Sequence, residues 1–247
     1  AWHLAPELEN FGHKVSLVNS RSKKSAVSLI DRLYRASYKK SLDFSKSDID
    51  IIIITVSDNH IKDIASEIII PEHCCIIPTS GTHSIEIFGR SAALHYGVLY
   101  PLQTFTKGVK ASFKDTPIFV EGNGNYAYKV LQELSRKLSK QTYKLDSEQR
   151  SILHLSAVIA SNFSNHMLTI AKSLMDQHDM SFELLHNVVY TMVQKAFIAG
   201  PENGQTGPAV RKDLDTLEKH RKLLKSDRNL HKLYTLISNH IINTHHN

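Results

Sequence analysis

The chain of 247 residues is 41% hydrophobic and 22% charged, a balance that excludes wholesale disorder and collagen-like repeats and can bury a core without disulfide staples. Its formal net charge of +6 permits an anionic partner without requiring one, and no run reaches the roughly 18–20 apolar residues of a membrane helix. Glycine is scarce, 10 in all with none between Gly12 and Gly81 or between Gly124 and Gly200, which suits helices and buried strands and excludes a loop-rich β architecture.

Residues 1–6 lack the basic and apolar regions of a signal peptide and read as the inside of a helix. Leu4, Leu8 and Phe11 fall near helical spacing, and Gly12 stands where such a helix needs a left-handed cap. A short strand is predicted over 15–18, then a helix over 23–34 with Ala26, Leu29, Ile30 and Leu33 on one face. Four consecutive isoleucines within 49–56 predict a strand buried on both faces, as in a parallel sheet. Asp58 or Asn59 is expected to cap a helix running through Ile68. Cys74 and Cys75, the only cysteines, are neighbours that rarely bridge without strain; they read as two buried thiols in a reducing cytoplasm. Further strands are predicted over 74–78, 97–100, 117–120 and 142–145, with a helix over 126–138. Strands separated by helices of this length define an α/β domain with a mostly parallel sheet.

The pattern changes after Leu145. Ser147 is expected to cap a helix reaching about residue 177, apolar almost all round through Ile152, Leu155, Val158, Ile159 and Phe163, and so buried on every side. Helices follow over 182–199, 213–224 and 228–242, with a Gly/Pro-rich break at 200–208. The chain therefore divides into a sheet domain, 1–146, and an all-helical domain, 147–247.

In a doubly wound sheet, ligands bind beyond the carboxyl ends of the strands. Four loops there are small, polar or hydrogen-bonding: Asn19-Ser20-Arg21, Thr55-Val56-Ser57-Asp58, residues 78–83 and residues 101–105. Any one could be an ordinary loop, but four in succession point to a shared site. At the first loop a dinucleotide-binding fold meets the adenosine ribose, and an acid there selects NAD. The amide, hydroxyl and guanidinium of Asn19, Ser20 and Arg21, with Lys23 and Lys24 close by, would instead cradle a 2′-phosphate and favour NADP. The same residues would also make a solvated basic turn.

On the long helix, about 100° per residue sets Ser151, His154, Ser161 and Asn165 within a quarter-turn, with Asn162 beside them. Such a stripe serves either a ligand cleft or a wet helix seam. His154 could donate a proton near neutral pH, though a lone histidine on a buried helix is more often structural. The turn at Gly207-Pro208 presents Arg211 to an anionic group, and Asp213 stands at a helix start. The histidines show no zinc-ligand spacing, so no metal is expected. The basic run over 219–232 is interleaved with acids and reads as a solvated face rather than a nucleic-acid surface.

Thr79-Ser80-Gly81-Thr82-His83-Ser84, Tyr100-Pro101-Leu102-Gln103-Thr104-Phe105, His154 through Ser161-Asn162-Phe163, and Thr206-Gly207-Pro208 with Arg211 and Asp213 occur in that order. Together they resemble a bacterial family of Rossmann-like proteins with a C-terminal helical domain of unknown function. That family is similar to pyrroline-5-carboxylate reductase, ketopantoate reductase and the 3-hydroxyisobutyrate and 6-phosphogluconate dehydrogenases. The resemblance implies an NADP-linked, Rossmann-type doubly wound domain and a 6-phosphogluconate-dehydrogenase-like helical domain that forms a homodimer, with the site between domains.

On this resemblance Ser20 and Arg21 hold the 2′-phosphate, beside Asn19. Val56, Ser57, Thr79, Ser80 and Gly81 line the nicotinamide side, where Ser80 also ranks as a catalytic candidate. His154 and Asn162 face the substrate, a small carbonyl, imine or hydroxy acid. His83, Gln103, Ser161, Asn165 and Arg211 complete its pocket.

Two departures stand out. The family opens with a strand and a G-x-G-x-x-G/A loop, and here Ala1 matches only the last small residue of that pattern, with residues 2–11 as the helix after it. The dehydrogenases also carry a lysine four residues before the asparagine, where this chain has Val158; His154 is the substitute acid. An NADP-binding sensor without turnover is the alternative that Val158 raises, and nucleic-acid binding is a remote third.

Overall fold

The computed structural model describes residues 1–89, 93–109 and 111–246. Contacts divide the chain into two compact units, Ala1–His166 and Met167–Asn247. The division falls within the long helical run rather than ahead of it.

In the first unit, α1 (Leu4–Asn10) ends at Phe11, and Gly12 follows with φ +85°. The predicted first strand is real but short, β1 (Leu17–Val18), and pairs in parallel with β2 (Ser37–Tyr38), which the sequence reading lacked. Between them, α2 (Lys23–Ile30) stops four residues short of its predicted end. There Arg32 turns away to donate to the Trp2 carbonyl, and the Tyr34 amide donates to the Glu9 carboxylate.

The main sheet runs in the order β3 (Ile51–Ile54), β4 (Cys75–Pro78), β5 (His95–Pro101), β6 (Ile118–Gly122), β7 (Thr142–Lys144). Every pairing is parallel except β5 with β6. Cys74 and Cys75 are free thiols with no exposed surface, and burial pushes Cys75 up to about 12.

One expectation about β3 fails. Only Ile54 is fully buried, and Ile51, Ile52 and Ile53 are half-buried. The reason is a cavity of about 420 Å³ lined by both β1 and β3, with Leu4, Leu8, Leu29 and Ile64 among its walls. β1 and β3 are each the edge strand of their sheets. A Rossmann-type sheet carries its first strand between these two edges.

After β3, a 3₁₀ turn (Asp58–His60) leads into α3 (Ile61–Glu67), and neither Asp58 nor Asn59 caps it. α4 (Asn125–Leu138) follows β6 and buries Ala127, Leu131, Leu134 and Leu138, spaced along one face. At about 1.5–3 kcal/mol for each fully buried leucine, this face anchors the helix to the sheet. Gly97 allows the approach, because a Cβ there would collide with the Glu121 carbonyl and the Leu131 side chain.

α5 (Ser147–Ala157) is capped by Asp146, not Ser147: the Asp146 carboxylate accepts from the Gln149 amide while Gln149 reaches back, a reciprocal capping box. A π-helical turn (Val158–Phe163) joins α5 to α6 (Ser164–Asp176). The run is apolar all round, yet within this chain Ile152, Leu155, Ile159 and Phe163 are all exposed by more than half.

The second unit holds the end of α6, a 3₁₀ turn (Phe182–Leu185), α7 (His186–Ala199), α8 (Pro201–Gly204), α9 (Leu214–Leu223) and α10 (Arg228–His246). Thus a short helix occupies the break predicted at 200–208, and the last helix runs four residues longer than expected. Leu217 of α9 is buried, and α9 and α10 are joined by a 2.7 Å hydrogen bond between His220 and Tyr234. By contrast Phe197 and Ile198 of α7 are 88% and 85% exposed. Among the described residues no helix is long and apolar enough to cross a membrane.

Candidate active site

The loop after β4 is held by side-chain hydrogen bonds. The Thr79 amide extends the ladder by donating to the Ile54 carbonyl at 3.1 Å. Ser80, 2% exposed, then accepts at its hydroxyl from the amides of Thr82 and His83, both at 3.2 Å. Its oxygen therefore folds the turn. Asp58 braces the far side: its carboxylate accepts from the Thr82 hydroxyl at 2.6 Å, and its carbonyl lies 2.9 Å from His83 Nε2. A capping role for Asp58 gives way to this contact.

Arg150 of α5 closes the other side, and sequence reasoning missed it. Its side chain is 1% exposed and pairs with Glu121 at 3.1 Å. The guanidinium also donates to the carbonyls of Ser80 at 3.4 Å and His83 at 2.6 Å, and to the Ser147 hydroxyl at 3.3 Å. Ser147 donates to both Glu121 oxygens, at 3.0 and 2.8 Å, so the carboxylate is shared between Ser147 and Arg150. Burial pulls the Arg150 pKa down, and Glu121 and Asp146 push it back up. A buried cation of this kind is held by its anion and by carbonyl oxygens together.

One turn along α5, His154 lies on the same face. Its Nδ1 is 3.0 Å from the Tyr100 hydroxyl of β5, and the two rings meet edge to face. Gly81 packs directly against the imidazole: a Cβ there would lie 2.5 Å from Nδ1 and 2.8 Å from Cγ. Tyr100 is almost buried, which raises its pKa; Asp58 raises it further and Arg150 opposes. Ser80, Gly81, His83, Tyr100, Arg150 and His154 thus form one cluster. Tyr100 belonged to a quoted motif but carried no assigned role.

A second cluster follows β1. Arg21, exposed, donates to His60 Nε2 at 3.1 Å, and since a guanidinium cannot accept, that imidazole nitrogen is the acceptor. The Ser20 hydroxyl accepts from the Ser22 amide at 3.3 Å, and Ser22 in turn caps α2. Asn19 is turned to its own chain: its amide reaches the carbonyls of Lys39, Lys40 and Ser41 at 2.8, 3.1 and 3.3 Å. Val56 and Ser57 lie exposed in the loop after β3.

The remaining candidates are not drawn into either cluster. Gln103 accepts from the Thr104 amide at 2.8 Å within its own turn. Ser161 and Asn162 lie in the π-helical turn and, with Asn165, are exposed. That turn winds less per residue than an α-helix, so a stripe projected at α-helical pitch does not hold across it; π turns are frequent at functional sites. Arg211 lies in the second unit, exposed, just ahead of Asp213, which caps α9 by accepting from the Thr216 amide at 3.0 Å.

A mostly parallel sheet flanked by helices, polar loops at its carboxyl edge and a helical region after it define a Rossmann-type protein with a C-terminal helical domain. The chain belongs to the family described as "Domain of unknown function (DUF2520)", whose model matches residues 116–241. It is similar to a Bacteroides fragilis protein provisionally described as an NADP oxidoreductase, at 30% identity and TM-score 0.87, over 98% of this chain and 94% of that one. An imine reductase from Myxococcus stipitatus, solved with NADP+, shares the fold at 12% identity and TM-score 0.69, covering 100% of this chain and 93% of its own. So does a Plasmodium falciparum pyrroline carboxylate reductase with NADP bound, at 12% identity and TM-score 0.56 over 97% and 93%. No curated protein matches.

Proposed function

We propose that the chain is an NADP-dependent oxidoreductase that transfers a hydride to or from a small carbonyl, imine or hydroxy acid. One observation carries the reading: at the carboxyl edge of a Rossmann-type sheet, a half-buried imidazole is anchored through one nitrogen to Tyr100, against a loop fixed from behind by Arg150. The description of the Bacteroides fragilis protein supports the same class.

The donor set fits the cofactor at both ends. Arg21 with His60, next to Ser20, Lys23 and Lys24, supplies exposed donors for a 2′-phosphate. Residues 79–83 and the Val56-Ser57 loop would line the nicotinamide end. A bound nicotinamide supplies the hydride. The chain's part is to orient the substrate and to set the His154 N–H as a hydrogen-bond donor where charge develops on the substrate oxygen or nitrogen, the proton that completes reduction coming from water. Asn162, Ser161, Asn165, His83, Gln103 and Arg211 are the residues left to contact substrate.

Titrating the protein with NADPH and NADH, followed by nicotinamide fluorescence, tests this. NADPH should bind and bind more tightly; binding of neither overturns the proposal.

The exposed apolar surface of α5, the π-helical turn and α7 supports a homodimer formed through the helical domain, which we take to begin at residue 147. Sedimentation of the same samples as a monomer at micromolar concentration would rule that out. The free, buried thiols support a cytoplasmic location. Val158, where related dehydrogenases carry lysine, favours a second reading: a sensor that binds NADP without turnover. NADPH binding with no oxidation across a carbonyl and imine panel would select it.

A further inference from the structure

A neutral imidazole has two tautomers, and the hydrogen bond at one nitrogen decides which the other presents. His154 has a single hydrogen bond to a protein group among the described residues, from Nδ1 to Tyr100 at 3.0 Å. The chemistry of the pair sets its direction. A phenol is a stronger proton donor than an imidazole N–H, and an imidazole nitrogen is a stronger acceptor than a phenol oxygen. Tyr100 sits in β5 with 9% of its surface exposed, and the Tyr100 hydroxyl has no other hydrogen-bond partner among the described residues. Its proton therefore belongs in the bond to Nδ1.

The neighbours hold this geometry from two sides. Arg150, one turn back on α5, ties the helix to the carbonyls of Ser80 and His83. Gly81, between those two residues, leaves the ring the space it occupies, since a Cβ would stand 2.5 Å from Nδ1. Glycine here is required by a close approach and not by its backbone angles.

We propose that Tyr100 is a positioning residue that holds His154 in the Nε2–H tautomer, so that Nε2 faces away from β5 as a hydrogen-bond donor to the carbonyl oxygen or imine nitrogen of the substrate. The assignment of a substrate rests on the oxidoreductase reading; the tautomer does not. Tyr100 acts through His154 and touches no reacting atom. Gly81 is the second half of the device, because it determines how closely the imidazole approaches the loop.

The test reads the ring directly. Long-range ¹H–¹⁵N correlation spectra of uniformly ¹⁵N-labelled protein, without cofactor, report the tautomer of each histidine, and comparison with His154→Gln identifies the resonances of His154. The wild type should show a protonated Nε2 and a bare Nδ1. Tyr100→Phe keeps the ring in β5 and removes only the hydroxyl, and it should shift the Nδ1 resonance toward that of a tautomer mixture. Gly81→Ala should move the same resonance by displacing the ring. An Nδ1–H tautomer in the wild type, or identical His154 resonances in wild type and Tyr100→Phe, overturns the proposal.

Turnover gives a separate arm. Tyr100→Phe should lower kcat roughly ten- to a hundredfold, less than the roughly hundred- to ten-thousandfold worth of a general acid itself because the imidazole stays in place, while the NADPH dissociation constant stays within twofold. If the resonances shift as expected but no nicotinamide binds, the tautomer assignment stands and the oxidoreductase reading falls. If NADPH binds and the resonances do not shift, the reverse holds.

Discussion

The turn after β1 and the loop after β4 both follow the carboxyl end of a parallel strand, yet they are built in opposite ways. The β4 loop is held from inside: Ser80 and Gly81 are buried, the Ser80 hydroxyl binds amides of its own turn, and Arg150, 1% exposed, binds the Ser80 and His83 carbonyls from α5. The β1 turn is held from outside, with Arg21 exposed and joined to the next loop by one bond to His60. A group that must meet a mobile phosphate in water can sit on a loosely tied turn, since charge acts over several ångströms. A group that must meet a reacting atom needs a fixed frame. Substitutions should therefore separate the two regions: at the β4 loop they cost stability, and at the β1 turn they cost affinity.

The sharpest break comes from Arg150→Met. It leaves the Glu121 carboxylate, 13% exposed, without its cation, and removes donors from the Ser80 and His83 carbonyls. Losing one partner of a buried pair costs about 3–5 kcal/mol, so the midpoint of urea denaturation should fall steeply. A change below about 1 kcal/mol would mean that water replaces the guanidinium, and that the β4 loop is no more braced than the β1 turn.

Next in size is Arg21→Ala. Loss of a charge-assisted contact should weaken NADPH binding by about 1.5–3 kcal/mol, close to ten- to a hundredfold, and leave NADH nearly unchanged. Stability should stay within about 0.5 kcal/mol, as for surface substitutions elsewhere. Equal losses for both nucleotides would detach Arg21 from the 2′-phosphate.

How much of this contrast was legible in the sequence follows from what periodicity can report. Runs of apolar residues marked β3, β4 and β5, and the polar residues after them marked the carboxyl edge, because alternation and its absence are local properties. The brace was invisible for the opposite reason. Arg150 is one charged residue ahead of an apolar stretch, and its partner Glu121 is brought to it only by the sheet. Tyr100 ends an apolar strand and reads as core until its hydroxyl is seen to face His154. The exposure of Ile159 and Phe163 could not be read either, since an apolar surface looks alike in sequence whether this chain or another molecule covers it.

Asn19 tests the comparison from the other side, with the smallest expected effect. It lies at the β1 turn among residues assigned to the cofactor, but its amide is bound to the carbonyls of Lys39, Lys40 and Ser41. Its role then resembles that of the β4 loop: it fixes a turn by satisfying backbone groups. Asn19→Ala should cost about 0.5–1.5 kcal/mol of stability, the net worth of such hydrogen bonds, and change NADPH affinity less than Arg21→Ala does. Paired urea melts and NADPH titrations of the two variants separate the alternatives. Should Asn19→Ala instead match Arg21→Ala in affinity with no loss of stability, the amide would belong to the ligand, and the whole β1 turn would be a binding surface without a frame of its own.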